Sequence, residues 1–168
     1  MLQNIWKSRE IRTNTKLRIF NSNVKSVLLY GSETWRTTKS SQKSIQTFLN
    51  NCYRKIFRIH WPETISNKDL LQRAKEEPIT DQITRRKWGW IGHTLRKDKN
   101  SITRQALKWN PQGKRHQGRP RMTWRRTMHE EMAKYGATWG EMEKAAQTRV
   151  RWRSVVDGLC TAGCDGPK

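Results

Sequence analysis

The side chains in this sequence that could do chemistry are cations and indoles, concentrated between Arg85 and Arg126. That stretch holds 14 Lys/Arg against one acid, Asp98, with Trp88, Trp90, Trp109 and Trp124 threaded among them. Like charges at this density repel one another in a folded chain, and a polyanion relieves that repulsion. Lysines and arginines supply phosphate contacts, while flat indoles and guanidinium planes stack on bases, so the pattern reads as a nucleic-acid surface. A solvated basic face with tryptophans anchored in a core is the plainer alternative. Ordinary surfaces mix both signs, which favours the first reading for the charges. For each Trp taken singly, burial is the commoner fate.

The candidate contact residues are Arg85, Arg86, Lys87, Trp90, His93, Arg96, Lys97, Lys114, Arg115, Arg119, Arg121, Trp124, Arg125 and Arg126. Catalysis is not expected, because its usual parts are missing. Two-metal phosphoryl transfer needs clustered carboxylates, and Asp69, Asp81, Asp98, Asp157 and Asp165 stand apart. Glu76-Glu77 and Glu130-Glu131 are adjacent pairs whose side chains diverge on a helix. No phosphate-binding glycine loop, nucleophile elbow or H-E-x-x-H pattern occurs. Cys160 and Cys164 have the spacing of half a zinc site, but His93, His116 and His129 are too scattered to complete it. No metal or other cofactor is expected.

The chain of 168 residues carries a net charge of +21, which points to RNA or DNA partners or an anionic membrane surface. Its hydrophobic content of 33% predicts a modest core, partly compensated by nine Trp. Three cysteines at wide spacing do not make a secreted disulfide framework, so a reducing compartment is expected. No apolar run approaches a membrane span, and the N-terminal residues lack the apolar core of a signal peptide.

Periodicity predicts an all-α fold of small, irregular helical domains with basic loops. Leu17, Phe20, Val24, Val27 and Leu28 mark one face of a helix over 15–30, with Gly31 as its stop. Ile45, Phe48, Leu49, Cys52, Tyr53, Ile56 and Phe57 mark the clearest helix, on which Cys52 reads as a small core residue. Ser66 to Asp69 resembles a capping box opening a short helix through Leu70, Leu71 and Ala74, which Pro78 stops. Thr80 or Asp81 then caps a helix through Ile83, Trp88, Ile91 and Leu95. Gly89 and Gly92 cost it about 1 kcal/mol each relative to Ala, which suggests close packing there. Residues 100–110 have no firm period and read as irregular, and 111–120 as a loop. A helix over 121–135 presents Trp124, Met128, Met132 and Tyr135, with Gly136 as its stop. Thr138 to Glu141 is a second capping-box pattern, opening one helix through Met142, Ala145, Ala146, Val150, Arg153 and Val156.

Gly118-Arg119-Pro120-Arg121 is similar to the core of an AT-hook, an extended Arg-Pro segment lying in a narrow minor groove. A phosphate-gripping loop ahead of a helix N-terminus explains the same residues.

Several phrases in order resemble one family: Thr15-Lys16-Leu17-Arg18, Leu28-Leu29-Tyr30-Gly31-Ser32-Glu33-Thr34-Trp35, Arg85-Arg86 through Trp90-Ile91-Gly92-His93, and Gly118-Arg119-Pro120 with Thr123-Trp124-Arg125-Arg126. Together they resemble the C-terminal part of the reverse transcriptase of non-LTR (LINE-type) retrotransposons that carry an apurinic-type endonuclease. The resemblance covers essentially the whole chain. It implies thumb-like helices over 1–62, a short helical connector over 63–79, and a basic nucleic-acid-binding extension over 80–168. Template RNA or target DNA, and the remainder of the polymerase, would be the partners. The family's catalytic aspartate pair and endonuclease have no counterpart here, so its activity as an RNA-directed DNA polymerase does not carry over. Met1 falls where the thumb would begin, as in a truncated element copy. Some members end in a zinc-binding Cys/His pattern, which Cys160 and Cys164 do not reproduce. A nuclear or cytoplasmic ribonucleoprotein is the implied setting. A stand-alone DNA-binding adaptor and a functionless truncated product remain the alternatives.

Overall fold

The computed structural model describes residues 3–109, 118 and 123–161, and among these every regular element is helical. The chain divides into two units, Met1–Gly31 with Thr38–Gln82, and Ser32–Thr37 with Ile83–Lys168. Among the described residues no helix is long and apolar enough to cross a membrane.

The first unit contains α1 (Gln3–Lys7), α2 (Thr13–Ile19), a π-helical turn (Phe20–Lys25), α3 (Ser26–Leu28), α4 (Lys39–Phe57), α5 (Asn67–Ala74) and the first four residues of α6 (Ile79–Leu95). The sequence predicts one regular face over Leu17, Phe20, Val24, Val27 and Leu28, and the π turn corrects it. A wider turn adds one residue to the repeat, so positions beyond it advance by one. Leu29 is accordingly buried, and Val27 is 72% exposed. Gly31 closes the segment at φ +66°, a left-handed position that suits glycine.

Helix α4 begins as a capping box of Thr38 and Ser41 and ends at Arg58, which takes the left-handed conformation. Its Leu49, Tyr53 and Ile56 are buried with Phe20, Leu29, Ile59, Leu70, Ala74 and Ile79. Phe20 meets Tyr53 edge-on, with ring centroids 5.3 Å apart. Asn50 is also buried and accepts a 2.8 Å bond from the Gln46 amide. The Gln46 carbonyl oxygen in turn accepts from the Ile79 backbone N–H at 2.8 Å. That N–H opens α6 and has no partner within its own helix.

Ser66 caps α5 as its sequence predicts. The helix ends at left-handed Lys75 rather than at Pro78, whose carbonyl instead accepts the first bonds of α6. The C-terminal carbonyls of α1 are met by cations. Lys16 donates to the Trp6 and Ser8 carbonyls at 2.8 and 2.7 Å, and Arg58 to those of Lys7 and Ser8 at 2.6 and 2.7 Å.

The second unit contains the rest of α6, α7 (Ile102–Lys108), α8 (Trp124–Tyr135), α9 (Trp139–Ala146) and α10 (Arg149–Thr161). Its core joins Trp88, Ile91 and Leu95 of α6 to Leu107, Met128, Met132, Met142, Ala145, Ala146, Trp152, Val155, Val156 and Leu159. Thr123 caps α8, and Gly136 ends it at φ +75°. The Thr138–Glu141 capping box opens α9. The hydrogen bonds to Glu141 hold its carboxyl below the ordinary range.

Two expectations need correction here. Residues 102–108 form a helix rather than an irregular stretch; Leu107 is its buried residue, which leaves too little apolar pattern to read. The helix expected to run from 139 past 153 breaks after α9. The break changes the phase, so Val150 is 73% exposed while Trp152, Val155 and Val156 are buried.

Candidate nucleic-acid interface

Helix α6 carries five of the candidate residues, with Arg96 and Lys97 just past its end, and the second unit sorts them by face. Lys87 lies on the core side with Trp88 and Ile91, and is 2% exposed. Its ammonium donates to Glu131 Oε1 at 2.6 Å, and Trp88 Nε1 donates to Glu131 Oε2 at the same distance. One carboxylate of α8 thus clamps two successive residues of α6. Lys87 is a packing residue, which corrects its place among the phosphate contacts. Arg85 forms an ion pair with Asp157 of α10, and Arg86 lies 3.9 Å from Glu33.

Just past α6, the Arg96 guanidinium donates to the Ala146 carbonyl at 3.0 Å. Burial lowers its pKa, and nearby Arg149 adds to the effect. His93 on α6 is exposed, as are Lys97 and Lys99 just beyond the helix.

The first turn of α8 holds Trp124, Arg125 and Arg126. Trp124 Nε1 donates to the Glu33 carbonyl at 2.8 Å, and its ring meets Trp90 edge-on with centroids 6.3 Å apart. Both indoles are half-buried against the core, so neither is an open stacking platform. Arg125 donates to the Leu107 carbonyl, and Arg126 pairs with Glu130 one turn on at 3.2 Å. Glu130 and Glu131 do point to different partners, as adjacency on a helix requires. Lys114, Arg115, Arg119 and Arg121 lie outside the described residues, as do His116, Cys164 and most of the AT-hook-like phrase. Cys160 is buried on α10. Cys52 is half-buried on α4, and burial pushes its thiol pKa up.

The fold therefore spends part of the basic stretch on itself. Arg85, Arg86 and Lys87 find Asp157, Glu33 and Glu131, acids far away in the sequence. It also exposes a residue that the candidate set omits. Trp109, just past α7, is 65% exposed beside a cleft of about 780 Å³, lined by Lys99, Ile102, Arg104, Lys108 and Glu143 among others. Trp109 stands in the sequence among Lys99, Arg104 and Lys108, but nothing in that spacing separates an exposed indole from a buried one.

Residues 1–30 match a family described as a domain of unknown function, DUF6451. The chain is also similar to a Caenorhabditis elegans protein described as transposon-derived and uncharacterized, at 26% identity over 155 residues. That match covers 86% of this chain and 55% of the relative, so the chain spans about half the length of the curated protein it matches. No solved structure matches. The relationship to a transposon-derived protein is distant but runs along most of the chain.

Proposed function

We propose that this chain is a non-catalytic nucleic-acid-binding fragment derived from a retrotransposon reverse transcriptase, and that it holds template RNA or target DNA through its basic second unit. The observation that carries this reading is the charge of 85–126, 14 cations against one acid, with His93, Lys97 and Lys99 exposed. Buried or internally paired cations could serve the fold alone, whereas exposed ones at this density favour a polyanion. The transposon-derived relative supports the same origin. Arg85, Arg86 and Arg126 would exchange carboxylate partners for phosphates, and Arg125 would keep its carbonyl bond and act as a positioning group. Residues up to about Pro62 correspond to thumb helices in this reading.

A competition titration of the purified chain tests it, using structured RNA, an RNA/DNA hybrid, random duplex DNA and A·T-rich duplex. The reading expects RNA or the hybrid to bind tightest. A preference for A·T-rich duplex that Arg119→Ala abolishes would favour the stand-alone adaptor instead. Weak binding to all four would contradict both.

A further inference from the structure

We infer that the cleft beside α7 is a subsite for one unpaired nucleotide, with its base stacked on Trp109 and its phosphates held by Lys99 and Arg104. This rests on the nucleic-acid reading above and adds to it a place and a strand type. Four tryptophans interrupt the basic stretch, and three are taken up by the fold. Trp88 is fully buried, and Trp90 and Trp124 pack edge-to-face. Trp109 alone of the four is mostly exposed, and a large apolar ring facing water is the unusual fate for an indole.

Its surroundings have the two parts that single-strand sites combine, a stacking surface and cations for the backbone. The cleft is lined by Lys99, Arg104, Lys108 and Trp109, and its volume of about 780 Å³ lies within the range of small-ligand sites. The cations are not equivalent. Lys108 is held by Glu143 at 2.7 Å, so that side of the cleft is already neutralised. Arg104 is oriented by a bond from Nη1 to the Lys97 carbonyl at 2.7 Å, which holds the guanidinium at the cleft. Lys99 is exposed. Phosphates are therefore drawn to the Lys99–Arg104 side, and the base to Trp109. A base inside a duplex has both faces covered by its neighbours, so an interior paired base cannot use the indole, whereas an unpaired one can.

The test uses the full chain and oligonucleotides carrying a single 5-iodouracil base. It sits in an RNA strand, in a DNA strand, or paired in the middle of a duplex. After irradiation, the cross-linked peptide is identified by mass spectrometry. Cross-linking at Trp109 is expected from both single strands and not from the duplex. In parallel, Trp109→Ala should weaken single-strand binding by about 5- to 150-fold, as loss of one base stack does, and leave duplex affinity within about twofold. Its thermal midpoint should be unchanged, because the side chain is exposed. Loss confined to RNA strands would support the subsite and assign it to RNA.

Single strands that bind but cross-link elsewhere, for example at the exposed Trp61, would overturn the inference while leaving the nucleic-acid reading intact. So would equal losses on single strands and duplex. A wild-type chain that binds no nucleic acid would overturn both.

Discussion

Lys87 is the residue where charge alone misleads most. In the sequence it is one more cation in a basic run, but in the fold its ammonium and the Trp88 indole share the Glu131 carboxylate. Removing one partner of a buried ion pair leaves the other uncompensated, at a cost of about 3–5 kcal/mol. Glu131→Ala should therefore lower the urea midpoint sharply, with Glu131→Gln falling between it and wild type. A loss of stability under about 0.5 kcal/mol, no more than an ordinary surface substitution gives, would show that the clamp contributes little. Tyr53 gives a second check. It is buried, and its hydroxyl has no partner among the described residues. Burial first, then Glu76 and Cys52, raise its pKa above the ordinary value of 10. Above about pH 10 the unfolded chain releases this proton while the folded chain keeps it, so stability falls as pH rises. Lys16 acts in the opposite sense. Its pKa is lowered by burial and by Arg58, so stability from this group rises with pH up to its ordinary value. Comparing Tyr53→Phe with wild type isolates the phenol. The variant should be as stable at pH 7 and lose less by pH 11 in thermal melts. An identical alkaline loss in both would contradict the assignment.

At the scale of elements, α6 offers an internal contrast. A Cβ at Gly92 would lie 1.9 Å from Trp152 Nε1, whereas one at Gly89 would meet nothing within 4 Å. Gly89→Ala should gain about 1 kcal/mol from helix propensity alone. Gly92→Ala should lose about 1–3 kcal/mol, because the Trp152 indole is packed and bonded to the Trp88 carbonyl. Equal effects of the two in chemical denaturation would show that Trp152 yields easily. The sequence marks both glycines as costly to the helix, but the partner that makes only one of them necessary comes from α10. The same limit explains which elements were legible. α4 has a long apolar stripe, and Ser66, Thr138 and Gly136 act within one turn of their own helices. The π turn at Phe20 and the break after Ala146 each change helical phase without a proline or glycine to mark the place. Tertiary contacts select such irregularities, and a periodic template passes over them.

For the whole molecule, the all-helical class follows from composition and period, and the excess of +21 is visible without any fold. Which cations remain for a ligand is not visible, because their internal partners lie far off: Glu131 is 44 residues from Lys87, and Asp157 is 72 from Arg85. Trp109 escapes notice for the matching reason, since exposure is a property of the folded unit. In the proposed function, the cations left over bind phosphates. The most direct measurement is the affinity of the full chain for its tightest nucleic acid across a series of salt concentrations. If about five to ten phosphates are engaged, log K should fall against log salt with a slope of about −4 to −9. Lys97→Ala should make that slope shallower by about one. A wild-type slope near zero would contradict the account, because binding would not then be the work of these charges.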